Sequence, residues 1–76
     1  MKHDRISVNP DVMVGKPCIK GTRIPVDLIL RKLGTGETVD DLLAAYPHLT
    51  ADDVRAALMF AADWLTDSDI VVSDER

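Results

Sequence analysis

Residues 38–58 read TVDDLLAAYPHLTADDVRAAL, and this stretch contains two helix starts separated by one helix stop. Thr38 can cap backbone amides while Asp41 answers it three positions on, and Thr50 with Asp53 repeats the arrangement. Both are variants of the capping box, and a carboxylate in the first turn suits the positive end of a helix. Pro47 lies between them and cannot continue the first helix. The first helix carries Val39, Leu42, Leu43 and Tyr46 on one face, and the second carries Val54, Ala57, Leu58, Ala61 and Leu65. Two helices joined by a turn of about three residues form a helix-turn-helix pair that crosses steeply.

A further helix is expected upstream. Pro25 presets a helical φ ahead of Val26, Ile29, Leu30 and Leu33, which follow i, i+3, i+4, i+7 spacing, and Gly34-Thr35-Gly36 stops the run. Before Pro25 the pattern changes. Ile6-Ser7-Val8 alternates as a short strand that Asn9-Pro10-Asp11 breaks. Cys18-Ile19 and Thr22-Arg23-Ile24 read as short extended pieces around glycine turns, consistent with a small hairpin. Downstream, Thr66-Asp67-Ser68-Asp69 ends the last helix, and Ile70-Val71-Val72 is a strand-like triplet in an acidic tail. The reading is a mainly α fold: a three-helix helix-turn-helix core preceded by a short β element. It forms one domain over 1–76, with 1–24 an extended or β arm and 67–76 an acidic tail.

At 76 residues and 8.4 kDa the chain buries only about 60% of its unfolded surface, so a staple or a partner should add to its stability. Cys18 is the single cysteine, which excludes an intramolecular disulfide and suits a reducing compartment. His3 and His48 lie far apart without metal-ligand spacing, so no metal is expected. Association remains, and a homodimer or a complex with a protein partner is the expectation. No apolar run is long enough to span a bilayer and no signal-peptide pattern opens the chain, which suits a soluble, cytoplasmic protein without a membrane partner. The formal net charge of -4 is unevenly spread. Seven Lys/Arg against three acids up to Gly36 give +4, while two against ten from Glu37 onward give -8. One half suits phosphate and the other a basic protein.

The cations that could meet DNA phosphate are Lys16, Lys20, Arg23, Arg31 and Lys32, with Arg55 near the start of the third helix. Asp52 and Asp53 head that helix and would repel phosphate, so they read as a charge-complementary helix start rather than a groove-reading one. Arg23, beside Gly21, offers a planar fork either to a partner or to backbone carbonyls and a local acid such as Asp27. Cys18 has no base with a predictable place beside it and reads as a buried apolar cysteine rather than a nucleophile. His48 reads as an exposed or capping residue, and His3 as part of a disordered end. Phe60 and Trp64 fall beside the main stripe of the third helix. With Met59 they either pack on a second subunit or partner protein, or are absorbed by a wide core stripe. Ile70, Val71 and Val72 suit a segment that folds onto a basic, partly apolar groove, the alternative being a frayed terminus.

The run Gly15-Lys16-Pro17-Cys18-Ile19-Lys20-Gly21-Thr22-Arg23-Ile24-Pro25-Val26 resembles the signature of domain-of-unknown-function family 433, in which a G-x-P-x-I-x-G-T-R-I-x-V stretch precedes three helices. The likeness continues through Ile29-Leu30, Leu33, Gly36, Leu42, Tyr46-Pro47, Leu49-Thr50 and Ala57-Leu58. Members of that family are similar to VapB-type antitoxins. The resemblance implies a homeodomain-like core, a PIN-like ribonuclease toxin as partner, and operator DNA bound in repression of its own operon. No nucleophile–base pair, phosphate-cradling glycine loop or cofactor motif occurs in the chain, so no catalysis and no cofactor are expected. The expectation is an antitoxin; the alternatives are a stand-alone helix-turn-helix DNA-binding regulator and a protein-interaction module.

Overall fold

The computed structural model describes residues 3–67. Two short strands, β1 (Ile6–Val8) and β2 (Pro17–Ile19), precede three helices: α1 (Val26–Gly34), α2 (Val39–Ala45) and α3 (Ala51–Asp67). A single 3-10 turn, Met13–Gly15, lies between the strands. This is the expected order, a small β element followed by a mainly helical body.

β2 has one neighbour more than its glycine turns suggested. β2 pairs antiparallel with β1, setting Ile6 opposite Ile19, Ser7 opposite Cys18 and Val8 opposite Pro17. Pro17 has no N–H to extend the ladder. Thr22–Ile24 makes the expected return along β2 through one hydrogen bond, Ile19 N–H to the Ile24 carbonyl at 2.9 Å, and a lone bridge between Cys18 and Pro25. The β1–β2 loop holds Met13 at φ 51° and Val14 at φ 56°. A β-branched side chain in that left-handed region is strained.

The end of α1 and the starts of α2 and α3 are written in their residues. At the end of α1, Gly36 takes φ 100°, its N–H reaches the Leu33 carbonyl and the Glu37 N–H reaches that of Lys32. This is the Schellman arrangement, which only a residue tolerant of positive φ closes cheaply. Both capping boxes form. The Thr38 hydroxyl accepts from the Asp41 amide at 3.1 Å while the Asp41 carboxylate accepts from the Thr38 amide at 2.9 Å. Thr50 and Asp53 repeat this at 3.1 and 3.0 Å. The turn between α2 and α3 is longer than the spacing suggested, running from Tyr46 to Thr50. Leu49 is the cause: it is buried in the core, and its N–H bonds the Tyr46 carbonyl at 2.9 Å, so the turn itself supplies a core side chain.

The core draws on every layer, with Ile19 from the hairpin, Val26 and Ile29 from α1, Leu42 from α2, Leu49 from the turn, and Val54 and Ala57 from α3. Ile6, Leu30, Leu33, Leu43, Tyr46 and Phe60 pack around them, partly buried. The N-terminal stretch is tied down on α3. Arg5 reaches Asp53 at 3.1 Å and Asp52 at 3.7 Å. His3, expected to be disordered, sits 2.8 Å from Asp63 and edge-on to the Phe60 ring. Its sequence neighbourhood carries no hint of this, because Asp63 is 60 residues away. Among the described residues, no helix is long and apolar enough to cross a membrane.

Candidate functional site

Two concavities lie at opposite ends of β2, one apolar and one basic. The apolar one arises because α3 outruns the layer beneath it. At about 1.5 Å per residue, its 17 residues span about 25 Å, whereas the nine of α1 span about 13 Å. Val54 and Ala57 are buried, but Leu58 and Leu65, both expected in the buried line, are 44% and 57% exposed. The apolar stripe itself is real, but the core covers the side of α3 that carries Val54, Ala57 and Phe60, and Leu58 and Leu65 lie at its margin. Met59 and Trp64 are 59% and 68% exposed, whereas Phe60 is half-buried against the core. The wide-stripe reading thus holds for Phe60 and fails for Met59 and Trp64. Phe60 and Trp64 help to line a groove of about 580 Å³ with Val8, Pro17, Val26 and Leu30. Ile70, Val71 and Val72 lie outside the described residues.

The basic residues divide by partner. Lys16 reaches Asp27 at 3.3 Å and Arg31 reaches the same carboxylate at 3.8 Å. Lys32 reaches Glu37 at 3.4 Å, and Arg55 pairs with Asp52. Asp27 therefore serves Lys16 and Arg31 rather than Arg23. Among the described residues, Lys20 and Arg23 alone of the candidate cations have no acid partner, and both line a second groove of about 560 Å³. Its other wall is the α2–α3 turn, with Tyr46, Pro47 and His48. Arg55 stands on α3, outside this groove, so the six cations do not form one surface.

The basic groove rests on a rigid turn. Thr22 donates its hydroxyl to the Ile19 carbonyl at 2.7 Å and accepts the Ile24 amide at 3.0 Å, which uses both its roles internally. Gly21 takes φ 80°, a conformation that glycine adopts without strain. The Lys20 amide bonds the Arg5 carbonyl at 2.7 Å. The backbone of the turn is thus held by its own bonds and its two cations are left to solvent.

Reactive chemistry is not assembled around Cys18. It is 2% exposed, and its thiol lies 3.4 Å from the Lys16 carbonyl. Burial, then the Asp27 charge, pushes the thiol above its ordinary pKa, with Lys16 opposing. A thiol so shifted is a poor nucleophile. Among the described residues, no three His, Cys, Asp or Glu side chains gather as a metal site. The wall formed by Tyr46, Pro47 and His48 was not anticipated as part of a site; the one available signal was a polar, proline-marked turn, a feature shared by most helix junctions.

Known proteins place the chain. A protein of Sinorhizobium fredii called "Uncharacterized protein y4eO" is 29% identical over 82 residues, which cover 93% of this chain and 37% of that one. An "Uncharacterized protein" of Archaeoglobus fulgidus is 64% identical over 28 residues, 37% of this chain and 78% of its own length. The crystal structure of a DUF433 member protein from Anabaena variabilis is similar with a TM-score of 0.76 and 37% identity, over 79% of this chain and 59% of that chain. The chain spans less than two thirds of both the Sinorhizobium and the Anabaena proteins. The family model described as "Protein of unknown function (DUF433)" matches residues 6–61, from the first strand into α3, and the chain belongs to that family.

Proposed function

We propose that this chain is an antitoxin that acts by covering a PIN-like ribonuclease with the exposed half of α3 and the apolar groove beside it. The observation that carries the reading is the exposure of Trp64 beside an apolar groove lined by Val8, Pro17, Val26, Leu30 and Phe60. An apolar groove at the edge of so small a domain favours an interface, and an aromatic anchor beside a groove is typical of residues that dominate binding energy. Charge supports the same partner class. The half of the chain from Glu37 onward carries a net -8, which complements the basic path a ribonuclease offers to RNA. The family resemblance supplies the ribonuclease itself. The mechanism is occlusion, with no chemistry performed by the antitoxin.

Co-expression with a PIN-like ribonuclease encoded beside it, followed by co-purification and an RNA cleavage assay, tests the reading. Wild-type protein should co-purify and suppress cleavage. Trp64→Ala combined with Val8→Ala, both exposed and both lining the groove, should weaken inhibition at least tenfold, since two apolar anchors lost from an interface cost about 2 kcal/mol or more. Cleavage that continues unaffected by the wild-type chain rejects the reading. A double variant that inhibits fully while losing self-association assigns the face to a second copy instead.

A further inference from the structure

We propose that the groove between the Gly21 turn and the α2–α3 turn binds one nucleotide unit of a single-stranded nucleic acid, its phosphate on Lys20 and Arg23 and its base on the Tyr46–Pro47 wall. This site is separate from the face assigned to the ribonuclease and does not depend on that assignment.

Pairing is the first argument. In an acidic protein, surface cations find carboxylates readily, and Arg5, Lys16, Arg31, Lys32 and Arg55 all do. Lys20 and Arg23 are exceptions among the described cations, they are three residues apart, and they line the same groove with His48. No carboxylate lines that groove among the described residues. A concavity lined by one sign of charge concentrates its field and attracts the opposite ion.

Rigidity is the second. The hydrogen bonds of Thr22 and the Ile19–Ile24 pairing fix the turn without using either cation. A guanidinium and an ammonium held on a preorganised turn meet a phosphate with less ordering cost than two mobile side chains, and the guanidinium fork matches two phosphate oxygens. A Cβ built at Gly21 meets nothing within 4 Å, so the space over the turn is open for a ligand to approach.

Shape is the third, and it selects the single strand. A groove of about 560 Å³ falls in the range that receives small molecules, and Ile24, Tyr46 and Pro47 give it an apolar side. An unstacked base can lie on such a side, as bases do on aromatic and apolar platforms of single-strand binders. A duplex keeps its bases stacked inside and offers phosphate alone. The start of α3 is also wrong for a duplex groove, because Asp52 is exposed there and Asp53 is spent on its cap and on Arg5.

Fluorescence anisotropy tests the assignment, with full-length protein titrated into a 5′-labelled single-stranded twelve-nucleotide probe. One phosphate at about 0.7 counterion predicts about a 2.6-fold loss of affinity between 50 and 200 mM NaCl. The Lys20→Ala/Arg23→Ala variant should bind at least tenfold more weakly and lose about that much salt dependence. Both side chains are exposed, so its melting temperature should stay within about 4 °C of wild type. Lys16→Ala, whose ammonium is on Asp27, should bind within twofold of wild type. Unlabelled single strand should compete better than duplex of the same sequence. Competition by adenosine monophosphate at equal affinity supports the site with the free nucleotide as its source. A double variant that binds like wild type overturns the proposal, as does a duplex that competes better than the single strand. So does a groove that ignores every nucleotide probe but captures polyglutamate.

Discussion

Asp52 and Asp53 are neighbours of identical chemistry, and replacing each by alanine should give very different results. The Asp53 carboxyl is 10% exposed, accepts the Thr50 amide at 3.0 Å and holds Arg5 at 3.1 Å. That of Asp52 is 62% exposed and touches only the exposed guanidinium groups of Arg5 and Arg55. Losing the return half of a capping box, together with its favourable charge at the helix start, costs about 1 kcal/mol. The Arg5 pair adds about 1 kcal/mol more, reduced because half of the arginine faces water. Asp53→Ala should therefore cost about 2 kcal/mol, or about 8–16 °C of melting temperature in a domain this small. Asp52→Ala should cost under about 0.5 kcal/mol, about 4 °C at most. Circular dichroism at 222 nm during thermal unfolding measures both. An Arg5→Ala/Asp53→Ala cycle isolates the pair, with a coupling of about 0.5–1 kcal/mol expected. Equal shifts for Asp52→Ala and Asp53→Ala would refute the claim that burial and capping separate the two carboxylates.

Three further outcomes follow from the same packing. Ile29 is fully buried, so Ile29→Ala should lower unfolding free energy by about 3 kcal/mol in a urea titration, a large fraction of what a domain of this size possesses. Val14 is 96% exposed at φ 56°, and Val14→Asn should raise the melting temperature by a few degrees, since asparagine tolerates that conformation and valine does not. The Thr38 backbone N–H, then its side chain, hold the Asp41 carboxyl below its ordinary value. The folded pKa is the lower one, so this contribution is complete above the unfolded value of about 3.9 and is lost as pH falls through the folded value. Acid titrations should show Asp41→Asn less stable than wild type at neutral pH, with the difference closing below about pH 4.

Helix existence was legible because it rests on local signals. Thr38 with Asp41, Thr50 with Asp53, and Gly36 after Leu33 are each complete within six residues, and each forms the motif its spacing announces. What was not legible depends on contacts between distant positions. β2 pairs with β1 as well as with the nearer return to Pro25, in a register that puts Ile6 opposite Ile19 at the edge of the core, which no short-range pattern states. The same holds for His3 on Asp63 and Arg5 on Asp53. In α3 the periodicity is legible in the sequence and its burial only in part. A stripe records which residues share a face, not how much of that face a neighbouring element covers, so Leu58 and Leu65 belong to the pattern without being covered by the core. The cations needed the opposite correction. Six looked alike in sequence, and only the placement of Asp27, Glu37 and Asp52 separates the paired four from Lys20 and Arg23.

The two grooves have no lining residue in common, and that separation constrains any account in which the protein has two partners. β2 enters from the apolar groove at Pro17 and leaves toward the basic one at Lys20, with Cys18 and Ile19 buried between them. A body resting on Trp64 and Val8 therefore does not cover Arg23 by contact with the same residues. If occupying one groove alters the other, two short links can carry the change: β2 from Pro17 to Lys20, and Ile24-Pro25-Val26, in which Ile24 lines the basic groove and Val26 the apolar one. Packed cores resist small displacements, and β2 is held on one side by β1 and on the other by the Pro25 bridge. Independent occupation is the consequence. A protein partner at the apolar end should leave oligonucleotide affinity at the basic end within about twofold, which corresponds to a coupling free energy below about 0.4 kcal/mol.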